Sequence, residues 1–184
     1  MKVLRQTEIE TNEFRVGDQI RVGRYTATCQ KTAEDGALFL LDQYLDESMQ
    51  MNEDDANEGG YMASDLRKRL NSDDVLDIFK ELRDRMVPLN DRDLLRIPFY
   101  GEMFGHDSWY NSGAVEPDDC KQWPLMKKRA NRIAERTGER YEWGWLRNKF
   151  VQSATRFCSV AYRGAAASHS ASNSGGVRPA FLIK

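Results

Sequence analysis

No aspartate or glutamate follows Glu142 in this chain of 184 residues. The tail beyond it carries Arg147, Lys149, Arg156, Arg163, Arg178 and Lys184, a charge of +6 that leaves −8 on the remainder and −2 overall. So small a net charge gives no electrostatic ground for a nucleic-acid or membrane partner, and neither is expected. No apolar run approaches the roughly 20 residues of a membrane helix. Residues 1–20 hold no apolar core of the signal-peptide kind. Membrane insertion is therefore not expected, and cytoplasmic synthesis is. Cysteine is scarce: Cys29, Cys120 and Cys158 are odd in number and lack Cys-x-x-Cys spacing. That argues against a disulfide framework and for a reducing compartment.

The residues that chemistry needs are thin as well. The only histidines are His106 and His169, and His169 has no carboxylate close by in sequence to orient it. No glycine loop of the phosphate-cradling type is present. The acidic stretch 46–60 lacks the alternating oxygen ligands and placed glycine of a calcium loop and reads as an exposed loop. Cys158 alternates with apolar neighbours and reads as a small buried hydrophobe. No catalytic residue, metal site or cofactor is assigned on these grounds.

One further absence is local. Lys, Gln, Glu, Trp and Met together make up 40 of the 184 residues, yet none occurs at positions 153–176. That stretch is dense in Ala and Ser instead. It lies between two apolar ends, Trp143-Gly144-Trp145-Leu146-Arg147-Asn148 and Gly175-Gly176-Val177-Arg178-Pro179-Ala180-Phe181-Leu182-Ile183. An ordered frame around a permissive insert is how a binding loop is held.

The length suits one domain with a real core, with residues 1–17 as an extension that frays or packs late. Residues 20–29 are β-prone, and the apolar run Ala37-Leu38-Phe39-Leu40-Leu41 is a buried strand that makes a hairpin with them across Glu34-Asp35-Gly36. Ser64 and Ser72 sit where they would cap two helices, the first with Leu66 and Leu70 on one face and the second with Val75, Phe79 and Leu82. Residues 102–105 read as one helical turn closed by Gly105. Residues 106–119 read as loop, in which Trp109 and Tyr110 either line a surface or plug the core. Pro124 starts an expected helix through Arg136, ended by Thr137-Gly138, with Leu125, Met126, Ala130, Ile133 and Ala134 inward. Trp143 and Trp145 share one side of a strand and Leu146 the other. Phe157, Ser159 and Ala161 alternate with Cys158 and Val160 in a second strand, and Tyr162-Arg163-Gly164 is a hairpin turn. Residues 177–183 close the fold as a strand, with Arg178 read as a charge buried against a carboxylate in preference to a ligand role. The sum is an α+β fold: a small, strongly bent, mostly antiparallel sheet with flanking helices.

The Trp-x-Trp-Leu-Arg-Asn strand and the terminal Gly-Val-Arg-Pro-Ala-Phe resemble a family of bacterial and phage domains with a C-type-lectin-like fold, of the formylglycine-generating-enzyme subtype. Tyr61-Met62-Ala63-Ser64-Asp65-Leu66-Arg67-Lys68-Arg69-Leu70-Asn71 is similar to that family's aromatic-x-x-Ser-x-Leu-Arg-x-Trp-Leu-Asn block, with Arg69 where Trp is usual. Ile20-Arg21-Val22-Gly23-Arg24-Tyr25 is similar to its opening strand. The resemblance covers residues 18–184. It implies a C-type-lectin-like domain whose closing strand lies beside the N-terminal one, phage or prophage encoded, with a protein or glycan ligand on a cell surface and a possible homo-oligomer. Some members are variable proteins of diversity-generating retroelements, in which mutation of adenines in Asn-type codons cannot reach Lys, Gln, Glu, Trp or Met. On that likeness the diversified, outward-facing contact residues are Ser153, Thr155, Arg156, Ser159, Tyr162, Arg163, Ser168, His169, Ser170, Ser172 and Asn173. Arg156 and Arg163 either favour an anionic surface or pair with carboxylates elsewhere on the chain. Glu116-Pro117-Asp118 resembles a calcium- and sugar-binding triplet of animal lectins, but the partner Trp-Asn-Asp is absent. The resemblance leaves two further readings, a structural component of a phage particle and a formylglycine-generating-like oxidase.

Overall fold

The computed structural model describes residues 11, 13–89, 93–136 and 142–184. The β-prone stretch after Asp18 folds as two strands, β1 (Gln19–Val22) and β2 (Tyr25–Ala33), because Gly23 turns the chain with φ at 56°, a backbone that costs glycine little. β2 pairs with β3 (Gly36–Leu41) in the expected hairpin. The short β4 (Met49–Gln50) lies inside the expected acidic loop.

Three short helices follow: α1 (Gly60–Ala63), α2 (Asp65–Leu70) and α3 (Asp73–Leu76). Ser64 caps α2, its Oγ accepting from the Arg67 amide at 3.1 Å, with Leu66 and Leu70 buried. Ser72 makes no side-chain cap; its hydroxyl donates to the Arg69 carbonyl instead. The expected second helix continues from α3 as a tighter 3-10 run, Asp77–Arg85, into β5 (Met86–Val87). Then come α4 (Tyr100–Phe104), closed by Gly105 as expected, and α5 (Ser108–Asn111). The strands β6 (Gly144–Lys149), β7 (Arg156–Val160), β8 (Ala166–Ser170), β9 (Ser174–Gly175) and β10 (Ala180–Ile183) complete the chain.

The strands form sheets in the orders β1-β2-β3-β10-β5, β6-β7-β8 and β4-β9. Every pairing between these strands is antiparallel; the isolated bridge between Gly144 and Gly176 is parallel. The molecule is a mixed α/β protein of antiparallel sheets with few, short helices.

Two apolar clusters lie on opposite faces of the same strands. Phe39, Leu41, Trp145, Phe157, Phe181 and Ile183 belong to the first. Leu38, Leu40, Leu146, Cys158, Val160, Ala180 and Leu182 belong to the second. Successive side chains alternate faces, so a strand buried on both sides reads as the continuous apolar run seen at β3 and β10. Trp145 and Leu146 fall on opposite sides as expected.

Several expectations are corrected. The closing strand β10 lies between β3 and β5, not beside the opening strand. The helix over residues 124–136 is replaced by two 3-10 turns, Pro124–Lys127 and Arg129–Arg132. Lys128 between them is extended, with ψ at 117°. The carbonyls of Leu125 and Met126 accept from the Asn131 and Arg132 side chains. Of its inward residues Met126 and Ala134 are buried, while Ala130 is exposed. Its stop at Thr137-Gly138 lies outside the described residues. Residues 106–119 contain α5, and Trp109 and Tyr110 pack half-buried on the second cluster. Arg178 is buried against backbone rather than a carboxylate: its Nε donates to the Leu41 carbonyl and Nη1 to Asn131 O at 3.0 Å. Most of the expected extension 1–17 lies outside the described residues, but Phe14 meets the Phe39 ring edge-on at 5.1 Å.

Candidate ligand-binding surfaces

The stretch 153–176 holds the hairpin of β7 and β8 and the short strand β9. β7 and β8 pair in register from Arg156↔Ser170 to Val160↔Ala166. The expected turn forms at Tyr162-Arg163-Gly164: the Gly164 amide donates to Ala161 O at 2.7 Å, and Gly164 takes φ 74°. Residues outside the hairpin fix its base. Asn57 Nδ2 donates to the carbonyls of Ser153 at 2.7 Å and Arg156 at 2.9 Å, and the Asn57 amide donates to Ala154 O. The Met51 amide donates to Ala171 O.

The inner rows of the hairpin belong to the frame. His169 stacks on Trp143 with ring centroids 3.7 Å apart, and Trp143 meets Trp145 edge-on at 4.7 Å. Trp143 in turn packs against Gly175, where any Cβ would overlap its ring. That close approach is the physical use of glycine at the end of the insert. Ser159 is fully buried, and its Oγ is hydrogen bonded to His169 Nδ1 at 2.9 Å. Burial, then the Arg156 charge, lowers the His169 pKa below the ordinary histidine value.

Of the eleven expected contact residues, Arg156, Tyr162, Arg163 and Asn173 are exposed. Ser153, Thr155, Ser168, His169, Ser170 and Ser172 are half-buried. Ser159 is the exception: expected to face outward, it points into the first cluster, because it shares the Trp145–Phe157 face of the sheet. Arg156 Nη2 donates to Ser168 O at 2.7 Å, and Arg163 lies over the Tyr162 ring at 5.1 Å. Neither arginine forms an ion pair with a carboxylate among the described residues.

A second concave surface adjoins the hairpin base. A cavity of about 230 Å³ opens between α1 and β6, lined by Gly60, Tyr61, Met62, Phe99, Glu116 and Arg147 among others. The Arg147 guanidinium lies over Phe99 at 4.0 Å and over Tyr61 at 4.8 Å. Burial, then the nearby Arg96 charge, lowers its pKa. Tyr61 is buried, and burial pushes its hydroxyl up to about 12. At the rim Lys149 Nζ sits 3.5 Å from Glu116 Oε1. In the sequence Arg147 is one of the basic residues of the tail and part of a resembling block, and Tyr61 belongs to another such block; their meeting across 86 positions leaves no local signal.

The Glu116-Pro117-Asp118 triplet is used internally. Asn148, buried, donates through Nδ2 to Glu116 O and Asp118 Oδ2, both at 2.8 Å, and accepts the Tyr100 amide at 2.6 Å. Asp118 also accepts the amides of Gly101 and Cys120. These bonds tie α4, the triplet and β6 into one block beneath the cleft. Among the described residues no group of His, Cys, Asp or Glu is arranged to hold a metal ion, and no helix is long and apolar enough to cross a membrane.

A family model described as a domain of unknown function, DUF6273, matches residues 100–184. The matched segment begins at α4 and takes in β6, the hairpin and β10, but not α1 and Tyr61. No curated protein matches the chain, and no solved structure does.

Proposed function

We propose that this chain is a ligand-recognition protein on a C-type-lectin-like scaffold, phage or prophage encoded, whose β7–β8 hairpin presents a diversified contact face to a protein or glycan on a cell surface. The observation that carries this reading is the division of labour within the hairpin. Phe157, Cys158, Ser159 and Val160 are buried, Asn57 and Met51 hold the backbone from outside, and Trp143 stacks on the His169 ring. Arg156, Tyr162, Arg163 and Asn173 project from that fixed backbone. Such side chains are free to vary without cost to the core, as surface substitutions generally are. Tyr, Ser and Asn are also the residues of adaptable binding surfaces. The absence of Lys, Gln, Glu, Trp and Met from residues 153–176 supports the retroelement origin of that face.

Sequencing the DNA around the coding region tests the reading. It requires a near-copy of the segment for residues 153–176 with adenine-rich codons, beside a reverse transcriptase gene. An intact locus with neither would remove diversification and leave a fixed binding surface.

A further inference from the structure

We propose that the cleft between α1 and β6 is a second binding site, in which Arg147 takes the carboxylate of a small organic acid. It stands apart from the hairpin reading and does not depend on it.

Arg147 carries a guanidinium that the fold holds but does not neutralise. The rings of Phe99 and Tyr61 lie 4.0 Å and 4.8 Å from it. Ring stacking engages the flat faces of a guanidinium and leaves its in-plane N–H groups available. Of these, Nη2 meets the Met62 sulfur at 3.3 Å, a weak acceptor. The nearby carboxylates are committed elsewhere. Glu102 is held by Arg96 through two bonds of 2.6 and 2.7 Å, and Glu116 is shared between Lys149 Nζ and the Lys149 amide. Among the described residues no carboxylate pairs with Arg147.

Position and space fit a ligand. The Arg147 amide donates to Pro98 O at 3.0 Å, and its neighbour Asn148 is bonded on every side. The cation is thus fixed in place before anything binds, which lowers the ordering cost of binding. The cavity of about 230 Å³ opens directly at it. That volume falls below the usual range for drug-sized ligands, so the occupant is small. Within the lining Arg147 and Glu116 carry opposite charges, and Lys149 Nζ at the rim, 3.5 Å from Glu116 Oε1, offsets the glutamate. The in-plane fork takes a carboxylate bidentately, and the Phe99 and Tyr61 rings in the same lining suit the organic part of such an acid rather than inorganic phosphate.

The test titrates the full chain with succinate, acetate and inorganic phosphate at constant ionic strength, following the aromatic proton signals of Tyr61 and Phe99 by NMR. Saturable shifts with the two carboxylates in the millimolar range, and weaker ones with phosphate, are expected. Arg147→Lys keeps the charge and removes the fork, and should weaken succinate binding about tenfold or more. Glu116→Gln keeps the acceptor for the Lys149 amide, removes the competing negative charge and should tighten it. Glu116 is more than a third exposed, so this variant carries the test if the arginine variant fails to fold. The proposal is overturned by the absence of a saturable response to either carboxylate, by equal or stronger phosphate binding, by unchanged affinity in Arg147→Lys, or by unchanged or weaker affinity in Glu116→Gln.

Discussion

Ser159 Oγ and His169 Nδ1 lie 2.9 Å apart, joining the buried middle of β7 to its neighbour β8. The pair resembles part of a catalytic dyad on paper. In the fold Ser159 is wholly buried and His169 is stacked on Trp143.

The burial of His169 sets a pH dependence. The folded state lowers the His169 pKa, through burial first and the Arg156 charge second. The unfolded chain therefore binds a proton more readily near its ordinary value of about 6.5. The contribution is fully present above that value and is lost as the pH falls through the folded pKa. Melting temperature should drop between about pH 7 and pH 5, and His169→Gln should flatten that part of the curve. An identical slope in the variant would assign the pH dependence to other groups.

Phe181 is completely buried between Phe39, at 5.9 Å, and Phe79, at 5.1 Å. Phe181→Ala should cost about 3–5 kcal/mol in a denaturant melt. A near-wild-type midpoint would show that the first cluster is not the main core.

Arg96 and Glu102 form a bidentate pair at less than a tenth exposure, and Glu102 also accepts the Phe99 amide. Arg96→Met strands a buried carboxylate, with an expected loss of about 3–5 kcal/mol. Adding Glu102→Gln should recover part of it, because the amide bond survives without the charge. A double variant no better than the single one would contradict this accounting.

Arg156 and Arg163 should behave in the opposite way. Both are exposed, so Arg156→Ala and Arg163→Ala should each shift stability by no more than about 0.5 kcal/mol. Any binding through the hairpin should weaken with added salt and in these variants. Salt-insensitive binding would remove electrostatics from the hairpin's role.

The thiols should order by access. Cys120 is half-buried, with burial pushing its pKa up to about 12, while Cys29 and Cys158 are completely buried and also raised by burial. A thiol reagent should modify Cys120 first, and slowly, and reach the other two only on unfolding. Rapid labelling of native Cys158 would reopen the oxidase reading.

What the sequence determined by itself are the features set by short-range periodicity and by residue type. The apolar runs at β3 and β10, the opposite facing of Trp145 and Leu146, the Ser64 cap and the turn at Gly164 all follow from neighbours within a few positions. Tertiary structure decided what depends on distant partners. The residues after Pro124 had helical periodicity, but side chains of Asn131 and Arg132 took the carbonyls that a helix would need. Ser159 has the polar character of a surface residue, yet the pairing Trp145↔Ser159 turns it inward beside His169. β10 chose β3 and β5 as neighbours, which adjacency in sequence could not indicate. The Arg147 cleft is the extreme case: Tyr61, Phe99 and Arg147 meet only because α1, the segment before α4 and β6 pack together. A long-range encounter of three side chains has no periodicity, and only the folded chain shows it.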